Sequence, residues 1–246
     1  MKHQGGAQVA YAGSELLLRG EEQLANYNAW IVDMVVREAG RPRRVLDFGA
    51  GVGTLARLFH ARTGIRPEAV ELDPRQRQIC EARGFTVHGS LAESGGGYDL
   101  AFSSNVLEHI EDDVSALAAL HASLAPGGRL IVYLPAFPAL WTALDDHVGH
   151  FRRYRRRDLE RKLETAGFTV RRSRYSDSVG FVLALAYRVV GRGLGEPSGA
   201  SLRLYDRWLL PLSKGLDLVC SHFFGKNVLA VATKVGAGDQ GRSRVT

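Results

Sequence analysis

Val45-Leu46-Asp47-Phe48-Gly49-Ala50-Gly51-Val52-Gly53-Thr54 runs an apolar, strand-like stretch straight into a glycine-rich turn that opens a helix. Glu71 ends the next strand-like run, at the distance from the turn where a nucleoside-binding α/β fold needs a ribose ligand. A dinucleotide fingerprint wants Gly-x-Gly-x-x-Gly. Here the last glycine comes one residue early, as Gly53, and Thr54 stands where the fingerprint expects glycine. A carboxylate two residues before the first glycine repels a phosphate and suits a cation. Asp47 therefore points to a ligand carrying an amine or a sulfonium.

Outward from this turn, strands and helices alternate. The periodicity predicts strands at 45–48, 68–72, 86–88, 99–103 and 129–134, with helices at 54–62, 74–84 and 113–124 between them. Asp73-Pro74 caps one helix, and Pro126-Gly127-Gly128 is expected to break another. Such alternation means parallel strands, right-handed crossovers and a sheet buried on both faces. Ahead of the first strand, Leu24, Tyr27, Ile31, Met34 and Val35 recur at helical spacing, so 14–39 reads as one amphipathic helix. Further on, a helix at 158–166 and strands at 168–175 and 227–234 are expected, the two strands forming an antiparallel edge pair. Between them lies an insertion, 178–225, too apolar for a solvated loop. It should pack as helices over an acceptor pocket, a second subunit or a membrane surface.

VLDFGAGVG followed by AVELDP resembles the first two motifs of the class I S-adenosylmethionine-dependent methyltransferases, most closely the small-molecule, type 11/12-like branch. The similarity continues through YDLAFSSNVLEHIEDD and LAPGGRLIVYLPA, covering roughly residues 43–168. The resemblance implies an α/β, Rossmann-like, doubly wound sheet of seven strands, mostly parallel with an antiparallel edge strand. A helix capping the cofactor would precede it, and the helical insertion would come before the last strand. It also implies S-adenosylmethionine as cofactor and S-adenosylhomocysteine as product. Asp47 would meet the methionine amino group, Gly49 and Gly51 on either side of Ala50 would let the backbone approach it, and Glu71 would bind both ribose hydroxyls. Ser90, in His88-Gly89-Ser90-Leu91, stands where many relatives place an Asp that reads the adenine. Leu72, Leu91 and Asn105 complete the expected cofactor set.

The chain has 246 residues, 45% apolar and 24% charged, which suits one domain over 14–235 with flexible ends at 1–13 and 236–246. No charged n-region with a following apolar stretch opens it, so Cys80 and Cys220 read as reduced thiols of a cytoplasmic protein. The longest apolar run, 181–190, contains Arg188 and is shorter than the roughly 20 residues a spanning helix needs. Net charge is +6, and residues 152–174 carry +7 of it, so the rest of the chain balances near −1. Such a segment suits an anionic partner or is a solvated helix face.

Methyl transfer from a sulfonium is an in-line displacement, and most of its acceleration comes from holding the acceptor close, aligned and dry. A base is needed only where the acceptor arrives protonated. Residues 141–154 follow the fifth strand, at a strand C-terminus, and crowd titratable groups together. Their D-x-x-x-G-H-x-R-R-Y form resembles a run found in an uncharacterised branch of the family. His150 or His147 is the candidate general base, with Tyr154 the weaker alternative, or the group simply braces the loop. Arg152 and Arg153 would clamp a substrate anion, unless they form ion pairs with Asp158 or Glu160. Tyr27, Trp30, His109 and Trp141 are the further candidates for the acceptor pocket. No metal is expected: the metal-binding variant has a Glu-x-x-Glu-His run, and here Asn105 replaces its first Glu, which leaves Glu108 and His109 to orient the loop.

The first functional expectation is methyl transfer to O, N or C of a small, hydrophobic, anionic or lipid-like acceptor, with peripheral membrane contact through the insertion. RNA or DNA methylation is the alternative raised by the basic segment. Against it stands Ser104-Asn105-Val106-Leu107, which lacks the Asn-Pro-Pro-aromatic form used by base-methylating relatives. A non-catalytic cofactor-binding subunit is the third alternative. Oligomeric state is left open.

Overall fold

A computed structural model describes residues 14–190 and 198–235. The termini expected to be flexible, 1–13 and 236–246, lie outside the described residues. Seven strands form one sheet: β1 (Val45–Phe48), β2 (Glu68–Val70), β3 (Val87–His88), β4 (Tyr98–Ser104), β5 (Leu124–Pro135), β6 (Thr169–Ser176) and β7 (Asn227–Thr233), in the order β3-β2-β1-β4-β5-β7-β6. The first five strands in this order, β3-β2-β1-β4-β5, pair in parallel. β7 runs antiparallel to both β5 and β6, and this pair closes the edge with β6 outermost.

Both faces of the sheet are covered, which the near-continuous apolar strands require. Along β5, Leu130, Val132 and Leu134 pack toward α5 (Asp113–Ser123) and α7 (Arg156–Thr165). The alternate residues Ile131 and Tyr133 pack toward α2 (Ala25–Ala39) and α3 (Thr54–Thr63). α4 (Pro74–Ala82) closes a smaller cluster through Cys80 against Ala56 and Ala69. Asp73 caps it, its side chain accepting from the backbone of Arg75 and Gln76.

Of the boundaries that differ from expectation, three matter most. The N-terminal segment is two helices, α1 (Ser14–Gln23) and α2, broken at Leu24. The cause is tertiary: the Asp206 carboxylate accepts from the backbone N–H groups of Asn26 and Tyr27 at 3.0 and 2.8 Å, ending one helix by capping the next. β5 begins at Leu124, because Gly127 and Gly128 bond the backbone of Lys234 and keep the Pro-Gly-Gly turn in the ladder. β2 stops at Val70, which leaves Glu71 and Leu72 at the strand tip. The insertion folds as α8 (Ser178–Val190), α9 (Gly199–Leu204), a π-helical turn (Tyr205–Leu209) and α10 (Leu210–Cys220).

Candidate functional site

β2 and β3 follow β1 on one side and β4 and β5 lie on the other, so the sheet's switch point falls between β1 and β4. Backbone strain marks the same edge. The non-glycine residues with positive φ among those described are Asn105 at 54°, Phe137 at 56° and Asp177 at 70°, each one or two residues beyond the end of β4, β5 or β6. Such conformations cost about 1–3 kcal/mol each and persist where surrounding contacts impose them.

At the tip of β1, Asp47 is 2% exposed and its Oδ2 has no hydrogen-bond partner among the described residues. Burial pushes the Asp47 carboxyl up to about 8, and the neighbouring Glu71 carboxylate adds to the rise. Gly49, at φ 76°, lies so close to the loop after β4 that a Cβ there would meet Val106 at 2.3 Å. Glu71 spans the turn, accepting from Gly51 N at 2.7 Å and Asp73 N at 2.9 Å. The residues therefore fit the nucleoside implied by the resemblance: a buried carboxylate with one orphaned oxygen suits a cation, and a second acid borders the same glycine turn. α1 lies over this turn, with Leu17 3.0 Å from where a Gly51 Cβ would sit and Glu21 accepting from Thr54 Oγ1 at 2.7 Å. Leu72 is exposed, whereas the Ser90 hydroxyl is bonded to Glu93 and Leu91 packs against the core.

Past β4, a second group forms. The loop carrying His150 follows α6 (Ala143–His147) and crosses the turn after Asn105, with Phe151 N bonded to Glu108 O at 2.7 Å. His150 Nδ1 is 2.8 Å from Asp145 Oδ1, its Nε2 is 3.9 Å from Glu108 Oε1, and its ring meets that of His109 edge-on at 4.6 Å. Asp145 is 1% exposed and also accepts both arms of Arg153, at 2.7 and 3.0 Å. Burial works against its ionisation, but the bonds from His150 and Arg153 hold its carboxyl well below the usual range. Glu108 is fully buried with both oxygens unpartnered among the described residues, and burial pushes it up to about 8. Burial and the nearby His150 lower His109 to about 4.

Glu108, His109 and His150 present ligand atoms that all lie within 4.8 Å of one another, an arrangement able to hold a divalent cation. The expectation of no metal rested on Asn105 and did not include His150, which is distant in sequence.

Several expected site residues are placed elsewhere. Tyr154 is not positioned as a base: it is 2% exposed, and its hydroxyl donates to Asp113 Oδ2 at 2.8 Å. Burial and the Asp113 carboxylate raise it far above the usual phenol range. Tyr154→Phe is expected to lower stability to urea by about 1–2 kcal/mol, the cost of one buried hydrogen bond, measured from the unfolding midpoint at constant slope. Arg152 donates to the backbone of Ile110 and Glu111 and pairs with Asp113 at 3.0 Å, and Arg153 is committed to Asp145. Neither is free to clamp an anion, and their partners are not Asp158 or Glu160. His147 is exposed and outside the cluster, and Trp141 Nε1 donates to Asp146. Tyr27 and Trp30 are buried in the core.

The sequence reading passed over one polar network. The Tyr27 hydroxyl shares a 2.8 Å bond with Tyr133 and donates to Asn227 Oδ1 at 3.1 Å, while Asn227 Nδ2 donates to Asn105 Oδ1 at 3.5 Å. Asp177, fully buried, accepts from the Tyr205 and Ser213 hydroxyls beside it. The available signal was polar residues, Asn227 and Asp177, at the boundaries of apolar segments.

A sequence family described as a methyltransferase domain matches residues 21–173. The ubiquinone biosynthesis O-methyltransferase of Xanthomonas campestris pv. campestris is 28% identical over 113 residues, covering 41% of this chain and 47% of that protein. The demethylmenaquinone methyltransferase of Thermus thermophilus is 31% identical over 112 residues, covering 41% and 50%. The chain thus matches about half the length of these curated relatives. A solved SAM-dependent methyltransferase of Thermotoga maritima superimposes with a TM-score of 0.61 at 17% identity, over 92% of this chain and 98% of that one, a likeness of fold.

Proposed function

This chain belongs to the methyltransferase-domain family and is an S-adenosylmethionine-dependent enzyme, and from that premise we propose that it methylates O, N or C of a small hydrophobic acceptor held beneath the helical insertion. The observation that carries the reading is the buried Asp47 carboxylate beside the glycine turn, whose Oδ2 has no hydrogen-bond partner among the described residues, with Glu71 on the neighbouring strand tip. S-adenosylmethionine supplies an electrophilic methyl group on a sulfonium when bound. Asp47 would take the cationic methionine end, Gly49 and Gly51 would let the backbone close on it, and Glu71 would exchange its backbone bonds for the ribose hydroxyls. Leu72, exposed at the tip of β2, would lie against the adenine.

His150 is the base we assign. Asp145 accepts from Nδ1 and so leaves the lone pair on Nε2, 3.9 Å from Glu108 Oε1, as the site that would receive the acceptor's proton. The helical insertion follows β6 at the edge carrying the strand ends, where an apolar acceptor would lie beneath it. Quinone-pathway names among the relatives agree with such an acceptor. The anionic group expected from Arg152 and Arg153 loses its support, since both are spent on internal carboxylates. Within the basic segment Arg156, Arg161, Lys162 and Arg172 are paired too, so the charge left for nucleic acid is that of Arg155, Arg157, Arg171 and Arg174.

The test combines S-adenosylhomocysteine titration with transfer of labelled methyl into lipid and polar metabolite extracts. Binding together with labelling of the lipid fraction is expected, and absence of binding would refute the reading. His150→Gln should lower turnover by about 10²-fold or more with cofactor affinity unchanged. Equal turnover would remove His150 from the chemistry.

A further inference from the structure

α10 packs with its polar side inward. Its sequence, LPLSKGLDLVC, reads as amphipathic, yet the buried positions include Ser213 and Asp217, while every exposed one (Pro211, Leu212, Gly215, Leu216, Leu218 and Val219) is apolar. The inversion has a cause. Asp217 accepts from Asp177 N at 2.8 Å and Ser178 N at 2.9 Å, and Ser213 Oγ accepts from Val179 N at 3.1 Å. The polar face of α10 thus satisfies the N–H groups that open α8, and the apolar face is left outside.

The exposed surface is continuous. Leu204, Trp208 and Leu212 follow at four-residue spacing along α9, the π turn and α10, with Trp208 64%, Leu218 83%, Val219 73% and Phe223 74% exposed. Val182 and Leu183 of α8 join them across an apolar groove of about 240 Å³ shared with Leu216 and Phe224. Its charge has one sign. Among the described residues of the insertion, the exposed charged side chains are Arg188, Arg203 and Arg207, while both acids, Asp206 and Asp217, are buried at helix N-termini. Arg203 and Arg207 form a stripe beside the apolar one, and Arg207 stacks on Trp208 at 5.5 Å.

We propose that this face docks the protein peripherally on an anionic bilayer, with the apolar stripe at the acyl boundary and the arginines among the headgroups. No helix among the described residues is long and apolar enough to cross a membrane, so the contact lies in the interfacial plane. A second copy fits less well, because a twofold contact through this face would bring its like charges together. The inference stands on packing and charge and does not depend on the reaction.

Sedimentation of the full chain with vesicles of phosphatidylglycerol and phosphatidylcholine, against phosphatidylcholine alone, tests it. Binding should be about tenfold tighter or more on the anionic vesicles and weaken with salt, with a blue shift of emission that Trp208→Phe removes. Leu212→Ser, Leu218→Ser and Val219→Ser combined should lower vesicle affinity about tenfold or more. Arg203→Gln and Arg207→Gln should each cost on the order of fivefold on anionic vesicles. All variants alter exposed positions, and an unchanged S-adenosylhomocysteine titration shows that they are folded. Failure to bind anionic vesicles, binding indifferent to the triple variant, or a dimer in light scattering that the triple variant dissolves would each overturn the proposal.

Discussion

Asp47→Asn is expected to weaken S-adenosylhomocysteine binding by about 10- to 100-fold, the worth of a charge-assisted hydrogen bond in a buried site. The same change should stabilise the ligand-free protein at alkaline pH. Burial raises the Asp47 carboxyl from 3.8 to about 8, so its ionised form is disfavoured in the folded state. A raised folded value means the associated stability is complete below the unfolded value and is lost as pH climbs through the folded one, here between about 4 and about 8. The asparagine variant lacks that loss, and its melting temperature should exceed the parent's above pH 8. A cationic ligand reverses the balance by favouring the carboxylate. Binding to the parent should therefore release a proton near pH 7 and tighten on the order of tenfold from pH 6 to pH 8. Calorimetry in buffers of differing ionisation enthalpy measures the proton, and its absence in Asp47→Asn assigns it. A parent protein that binds equally at both pH values would show that Asp47 does not face the cation.

Asp145→Asn is the second large effect. Asp145 is buried and receives His150, both arms of Arg153 and the Thr142 backbone and hydroxyl. Removing its charge leaves Arg153 unpaired at 11% side-chain exposure, which should cost about 3 kcal/mol at neutral pH. Its carboxyl is depressed in the fold, so this contribution is present above the unfolded value of 3.8 and declines as pH falls below it. The gap between variant and parent should narrow in acid accordingly, as read from denaturant midpoints. With His150 as the proposed base, Asp145 would position it, and its loss should reduce turnover by about 10²-fold or more while cofactor affinity holds. A variant as stable and active as the parent would mean that His150 is oriented by something else.

What the amino-acid order revealed follows from how local each signal is. The glycine turn, Asp47 and Glu71 are legible because a strand, a tight turn and a helix N-terminus place their residues by backbone geometry alone, over a few positions. The alternation of strands and helices is equally local, and it yields the parallel sheet and its antiparallel closing pair. The break at Leu24 was not legible, because it is made by Asp206, 180 residues away from Asn26. The stretch 141–154 announced titratable groups but not their partners. His150 turns toward Asp145 and Glu108, Arg153 turns inward, and Tyr154 enters the core against Asp113.

The sequence by itself thus determined the sheet, the edge at which the glycine turn lies and the acids at the strand tips, since periodicity and turn chemistry act between near neighbours. The tertiary structure alone decided which titratable groups share a cluster and which side of α10 meets solvent. A 3.6-residue period separates a polar from an apolar face but does not say which is buried. Here the open N-terminus of α8 drew the polar face of α10 inward and left Leu212, Leu216 and Leu218 outside.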